Sequence, residues 1–440
     1  MRLIRLFFYI MLIAAASIGW VEADDRDHQY LMNFGKPLEL LPVDGNGVEG
    51  GELTFYQLDN RWLIGLAGRV IVRGKAAALA KLQQKFPQIE SLQILAKLND
   101  GSAIALVFLT PDVEPIMLAR LLAVQAGVLY AQPDMVQLNE LQGHTATARY
   151  GNYSLAKDIH LDQAWKLTKG LGVRVAVIDD GFDISHEDFD RKRWVFQADI
   201  STGVLDASPK RKQDYHGTQV AGIIFAQHNG IGGDGIAPEA EVVAIRMVSG
   251  WTSELVKSFE VARLANADVI NCSWRVPLKL QPVADIIQDL ARHGRQGKGT
   301  PIVFSAGNRP IRVTVEDLVG IEEVITVAAL NHAGQMGRSA YGEPIDIAAP
   351  SMLETTISKV GVDKKYSQLG ATSSAAPVVT GVVTLMLSLN PQLTVREITQ
   401  TLKRSADPVG GSKVAGTSRY IPGKINAIKA LTSISTKEKL

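Results

Sequence analysis

Four short motifs carry residue types that do chemistry. Val175-Ala-Val-Ile runs into Asp179-Asp180-Gly181, so an apolar strand delivers a carboxylate to its C-terminal end, the edge where open α/β sheets place their sites. Asp214-Tyr-His216-Gly217-Thr218 sets a histidine immediately before an apolar helix, with Gly217 permitting close approach. Gly370-Ala371-Thr372-Ser373-Ser374-Ala375-Ala376-Pro377 surrounds a serine with small residues at the start of a long apolar helix. A nucleophile needs that uncluttered approach, and the unpaired N–H groups of the helix start favour a developing oxyanion. Ser305-Ala306-Gly307-Asn308 ends a further apolar strand, where an Asn side chain can donate to an oxyanion. Each motif alone has a plainer reading: a strand-cap carboxylate, a structural histidine, a common helix start.

The surrounding pattern supplies a frame for these residues. After Tyr150, β-branched runs of strand length (173–178, 241–247, 268–273, 301–305 and 324–329) alternate with helical patterns (218–227, 252–265 and 283–292). That alternation predicts a parallel sheet covered on both faces. Residues 374–389 are nearly all apolar and predict a buried helix. Residues 395–404 and 425–431 read as closing helices.

Ahead of this region the chain reads differently. Arg2 and Arg5 precede an apolar run, Leu6 to Trp20, and Val21-Glu22-Ala23 offers small residues for a signal peptidase. The run falls short of the roughly 20 residues a membrane span needs, so residues 1–23 are expected to be a removable signal and not an anchor. No later segment reads as a span. Residues 24–60 are polar and glycine-rich and read as a linker or weakly ordered segment. Residues 61–141 follow the order β-α-β-β-α-β, a split βαβ unit, with Asn99-Asp100-Gly101 as its hairpin turn. Residues 142–150 are a connector, and residues 151–440 form the large α/β domain.

Composition narrows the class. Lys and Arg total 46 against 45 Asp and Glu, a net charge of +1, which excludes a strongly basic nucleic-acid binder. The one cysteine, Cys272, cannot form an internal disulfide or a thiolate zinc cluster. It sits in an apolar strand and reads as a packed core thiol. Export without disulfides fits a periplasmic or secreted bacterial protein.

Taken together and in the order Asp, His, Ser, the motifs resemble the subtilisin-like serine peptidases, the subtilase family. Gly235-Ile-Ala-Pro238, Val269-Ile-Asn-Cys-Ser-Trp274 and Asn390-Pro-Gln-Leu-Thr extend the resemblance over nearly all of residues 150–431. Ile245-Arg-Met247 and Cys272-Ser-Trp274 lean toward the kexin-like branch. The resemblance implies a subtilisin-like three-layer sandwich around a mostly parallel sheet, preceded by a small α+β split-βαβ propeptide domain. It implies Ser373 as nucleophile, His216 as general base and acid, and Asp179 as the group that orients His216. Asn308 corresponds to the oxyanion donor, and Ser273, Trp274, Arg275, Ser305, Ala306 and Gly307 to walls of the substrate pocket. The implied partners are a protein or peptide substrate and the chain's own propeptide, an intramolecular inhibitor whose tail begins at Tyr130 and is cut between Gln137 and Tyr150. The alternative is a permanent N-terminal domain without that role. No cofactor is implied for the chemistry, but Asp188 and Asn229 match ligands of a structural Ca²⁺; the alternative there is a capped loop without metal.

Several residues depart from the family pattern. Asp180 replaces the usual Ser or Thr and, by strand alternation, is expected to point away from Asp179. Ala371 replaces a Gly before Thr372-Ser373, Gln219 replaces a second His, and Arg275-Val276 stand where glycine is usual. None removes a triad member, but they leave open a rival reading, a pseudoprotease kept as a binding scaffold. Gly230-Ile-Gly232-Gly233-Asp-Gly235 fits a dinucleotide fingerprint in letters only, since it does not link a strand to a helix. Asn152-Tyr-Ser fits a glycosylation site, relevant only in a eukaryotic secretory pathway.

Overall fold

The computed structural model describes residues 29–43, 53–58, 62–137, 154–276, 278–358, 364–409 and 422–435. The expected signal (1–23) and the expected cleavage region beyond Gln137 lie outside them.

The α/β domain is built on a seven-stranded, all-parallel sheet. Its strands are β8 (Arg174–Asp179), β9 (Trp194–Asp199), β10 (Glu241–Arg246), β11 (Val269–Cys272), β12 (Ile302–Ser305), β13 (Ile325–Leu330) and β14 (Ile347–Pro350), in the order β14-β13-β12-β11-β8-β10-β9. Successive residues of β8 serve opposite faces. Val175 and Val177 join the core beneath one helical layer, and Ala176 and Ile178 join the core beneath the other. The first layer includes α3 (His216–Phe225) and α6 (Ala371–Leu389), and the second α4 (Thr252–Leu264) and α5 (Gln281–Gly297). Continuous apolar strands are what burial on both faces requires. Helices α7 (Val395–Ser405) and α8 (Ala427–Ser435) close the domain. By length and composition α6 could cross a membrane, contrary to the expectation that no later segment is apolar enough, but 89% of its most apolar window is buried inside the protein. It is the central core helix.

The N-terminal domain follows the expected order: β4 (Trp62–Lys75), α1 (Ala76–Lys85), β5 (Ile89–Lys97), β6 (Ser102–Leu109), α2 (Pro115–Ala123) and β7 (Val128–Gln137). Pro115 opens α2, and Glu114 caps it by accepting from the Ile116 and Met117 amides. The expected linker is corrected. Residues 29–58 supply three further strands, β1 (Gln29–Asn33), β2 (Lys36–Pro42) and β3 (Thr54–Leu58), paired antiparallel onto β4. Leu31, Leu40, Tyr56 and Leu58 are buried there. These few inward residues alternate with exposed ones, some polar and some, like Tyr30 and Met32, apolar, so no clean pattern marks the face that packs.

One apolar cluster runs unbroken from Leu40, Leu58 and Met135 of this domain to Leu255 of α4 and Ile286 of α5. Polar contacts tie the same interface. Asp134 is fully buried and accepts from the Ser253 amide (2.9 Å) and hydroxyl (2.8 Å) at the start of α4, while Arg69 pairs with it at 2.9 Å. Asp285 of α5 accepts from Tyr130 (2.7 Å) and pairs with Arg73 (2.6 Å).

Candidate active site

β8 ends at Asp179 and α3 begins at His216, and glycine brings the two ends together. A Cβ on Gly217 would stand 2.5 Å from the Gly181 carbonyl and 3.0 Å from Asp179 Cβ, so any larger residue would push the helix off the strand. His216 Nδ1 then meets Asp179 Oδ1 at 2.8 Å, with both side chains buried. Asp179 Oδ1 also accepts from the Asp180 amide at 2.9 Å. His216 Nε2 has no partner among the described residues.

Asp180 does not point away. Its two oxygens accept from the His216 amide (3.2 Å) and the Gly217 amide (2.8 Å), so it caps α3. Strand alternation fails here because β8 has ended one residue earlier, at Asp179. A carboxylate suits the positive end of a helix, yet burial, and after it the charge of Asp179, push the Asp180 carboxyl up to about 7. Burial acts on His216 in the direction of lower pKa. The charge and hydrogen bond of Asp179, with the charge of Asp180 added, outweigh it and lift the imidazole to about 9.

Ser373 lies in the first turn of α6 and donates from Oγ to the Ser273 carbonyl at 3.1 Å. Ser273 in turn lines the same cavity as Asp179 and His216. Asn308 turns its amide oxygen toward Thr372, accepting from the Thr372 amide at 3.0 Å and from its hydroxyl. That leaves the NH₂ group as the end of Asn308 that these bonds do not use. Thr372 Oγ1 also accepts from the Gly307 amide at 3.2 Å. Thr372 is thus the link between Asn308 and Ser373, a role the sequence reading missed. Its only signal there was adjacency to Ser373.

The expected substrate walls are neighbours. Cys272 pairs with Phe304, so Ser273-Trp274-Arg275 and Ser305-Ala306-Gly307 extend from adjacent strand ends. Ser305 Oγ donates to the Trp274 carbonyl at 3.3 Å, and Arg275 pairs with Asp317 at 2.6 Å. A second feature missed in the sequence is a buried ion network. Arg246, at the end of β10, pairs with Asp199 at 2.7 Å and with Asp214 at 2.6 Å. Asp214 lies two residues before His216, so the network anchors the approach to α3.

For the implied calcium, the donor chemistry fits. Asp188 is buried, and neither carboxylate oxygen has a hydrogen-bond partner among the described residues. Burial pushes its carboxyl up to about 7, only partly offset by the nearby Asn229 side chain and the Gln227 amide. An orphaned buried carboxylate with oxygen donors nearby is a setting that a hard cation stabilises. The Asn229 side-chain oxygen is occupied within its own loop, accepting from the Ile231 amide at 2.9 Å. Among the described residues no group of three or more His, Cys, Asp or Glu side chains gathers for a metal.

Fold and site together define a subtilisin-like α/β domain. The structure aligns with fervidolysin from Fervidobacterium pennivorans at a TM-score of 0.68 over 93% of this chain and 64% of that one, at 20% identity, a likeness of fold. The subtilase family model matches residues 170–421, and the chain belongs to that family. It is 35% identical over 338 residues to a calcium-dependent protease of Trichormus variabilis, covering 66% of this chain and 50% of that protein. It is 30% identical to a thermophilic serine proteinase of Bacillus sp. strain AK1, covering 69% of this chain and 73% of that protein. The chain spans about half the length of the calcium-dependent proteases it matches.

Proposed function

We propose that the chain is an exported serine endopeptidase made as a self-processing precursor. The observation that carries this reading is the Asp179–His216 pair at 2.8 Å, in a cavity it shares with the residue that receives the Ser373 hydroxyl. In the reaction, His216 Nε2 takes the Ser373 proton as Oγ attacks a peptide carbonyl. Asp179 holds the imidazole by Nδ1–H and stabilises its charged form. The Asn308 NH₂ group and the Ser373 amide receive the oxyanion. His216 then protonates the leaving amine, and water releases the acyl group by the same route.

The N-terminal domain, with strands β1–β3 included, is read as the inhibitory propeptide. Its last described residue supports this. Gln137 donates its amide to the Gly250 carbonyl (3.4 Å), and its side chain exchanges two hydrogen bonds of 3.1 Å with the Leu278 backbone. Leu278 lies five residues after Ser273, whose carbonyl accepts the Ser373 hydroxyl, so Gln137 is held against the stretch of chain that leads away from the candidate site. Residues 1–23 serve as the export signal, and cleavage follows between Gln137 and Tyr150. Asp188 and Asn229 would hold a structural Ca²⁺, which supplies a counter-charge to Asp188 and no chemistry at the carbonyl. The name of the Trichormus relative supports a calcium requirement.

One observation favours the rival scaffold reading: the Ser373 hydroxyl is given to the Ser273 carbonyl and not to His216 Nε2. Catalytic hydrogen bonds are often loose without substrate and tighten on binding, so the peptidase reading stands first. Comparing the folded wild type with Ser373→Ala separates them. The wild type is expected to shorten between Gln137 and Tyr150 and to react with a fluorophosphonate at Ser373, and the variant to do neither. An unlabelled, full-length wild type sinks the peptidase reading.

A further inference from the structure

Two segments flank Ser373. On one side the Ser273 carbonyl accepts its hydroxyl, and on the other Gly307 and Asn308 are bonded to Thr372. A peptide that meets Ser373 Oγ with its carbonyl carbon and the Asn308 NH₂ group with its carbonyl oxygen has little choice of placement. The side chain of the residue that donates the carbonyl must enter between the 273–276 and 305–308 segments. Arg275 already lies there. A Cβ on Gly307 would stand 2.8 Å from Arg275 Cδ, so the aliphatic stem covers the floor of the slot.

The stem is also tethered. Arg275 Nη2 meets Asp317 Oδ1 at 2.6 Å, and Asp317 Oδ2 is held by the Thr314 amide (2.8 Å) and hydroxyl (3.3 Å). The two paired side chains are 13% and 15% exposed, so swinging Arg275 aside would strand two largely desolvated charges. Because Asp317 neutralises the guanidinium, Arg275 offers no net charge to an acidic or basic side chain, and what it leaves is one buried donor, Nε, without a partner among the described residues, within reach of a small hydroxyl. The slot therefore selects by size.

Resting on the peptidase reading above, we infer that Arg275 sets the primary specificity, confining the residue that donates the scissile carbonyl to a small side chain: glycine, alanine or serine. Asp317 is its positioning residue.

The test uses the full-length chain and a series of peptide p-nitroanilides that differ only in the carbonyl-donating residue: Ala, Phe, Glu or Lys. Rates are normalised to the fraction of chains labelled at Ser373 by a fluorophosphonate. The wild type is expected to favour Ala over each of the others by about tenfold or more in kcat/KM. Arg275→Gly is expected to raise the Phe-to-Ala ratio by about tenfold. Asp317→Asn, which keeps the stem but unties it, shifts the ratio the same way by less. If the Arg275→Gly chain does not fold, the wild-type series and Asp317→Asn still decide. A wild type that takes Phe as well as Ala, or prefers Glu, overturns the inference, as does an unchanged ratio in both variants. Failure of labelling is a separate result: it removes the peptidase reading itself.

Discussion

Asp180 serves two ends at once. It caps α3 through the His216 and Gly217 amides, and it stands as a second negative charge beside Asp179 and His216. General-base catalysis needs the neutral imidazole, so a pKa lifted to about 9 shifts the ascending limb of the rate profile to alkaline pH. Activity per labelled site is therefore expected to climb from neutral pH to about pH 9. Removing the Asp180 charge withdraws one of the influences that raise His216. Asp180→Asn, which keeps an acceptor for the helix, is expected to move the limb toward lower pH by up to about one unit. A pH series of kcat/KM on both proteins checks this, and an unmoved or raised midpoint contradicts it. Ala371 carries a different strain. Its φ of 56° lies in the left-handed region, immediately before Thr372 and Ser373. Such a conformation costs a non-glycine residue about 1 kcal/mol. Ala371→Gly is expected to raise stability by about 0.5–1 kcal/mol, read as the urea midpoint in a Ser373→Ala background that cannot digest itself.

Elements differ in how far they could be read before the structure. Five of the seven parallel strands, β8 and β10–β13, and α6 were legible because burial on both sides leaves uninterrupted apolar runs, whereas β14, four residues ending at Pro350, was too short to read. The hairpin of β5 and β6 was legible because Asn99-Asp100-Gly101 names its own turn. Strands β1–β3 were not, since only alternate residues such as Leu31, Leu40 and Leu58 are buried and glycines separate the segments. β9 and the β15–β16 hairpin (Leu353–Thr356 with Tyr366–Leu369) were missed for a like reason, being short and partly polar. Within the site, Asp179, His216, Ser373 and Asn308 stood out because glycine and apolar elements frame them. The capping role of Asp180 and the Arg246 network did not, since both depend on partners 36 or 32 residues away. The unread strands have a consequence of their own. The tip of the β1–β2 hairpin docks on the start of α5: Asn33 accepts from the Gln281 amide (2.9 Å) and donates to the Lys279 carbonyl (3.0 Å), while the Phe34 amide donates to Gln281 (3.0 Å). This latch lies one residue beyond Leu278, where Gln137 is held. Asn33→Ala removes three largely buried hydrogen bonds, the third accepted from Gln132 at 3.3 Å, a loss of roughly 1–3 kcal/mol. Ser373 of the full chain is then expected to react with a fluorophosphonate about tenfold faster, and an unchanged labelling rate would show that the hairpin does not help to hold the tail in the cleft.

At the scale of the whole molecule, stability has to come without cross-links. The one cysteine, Cys272, is buried in the central sheet, where burial and then the Asp179 charge push its thiol well above the ordinary range. Packing supplies most of the stability, through two large clusters on either face of the parallel sheet. Against that stands Asp188, a buried carboxylate whose oxygens have no hydrogen-bond partner among the described residues, which lines a cavity together with Gly222, Asp234 and the Thr355–Thr356 end of β15. An ionised group so placed destabilises the fold unless a cation joins it. A cation that binds only the folded state adds about 2.7 kcal/mol at 100 times its Kd. For a domain of about 290 residues that corresponds to about 4–5 °C in Tm. In a Ser373→Ala background, EDTA is therefore expected to lower Tm by about that amount and added Ca²⁺ to restore it. Asp188→Asn removes the charge that the cation answers. Its melting is expected to be insensitive to both EDTA and Ca²⁺, and to lie above that of the EDTA-treated parent, since a neutral amide is less costly to bury than an unpaired carboxylate. Thermal scans at one fixed rate, with and without each reagent, decide the matter. Equal Tm values for the parent in EDTA and in Ca²⁺ would show that Asp188 is stabilised by the protein alone.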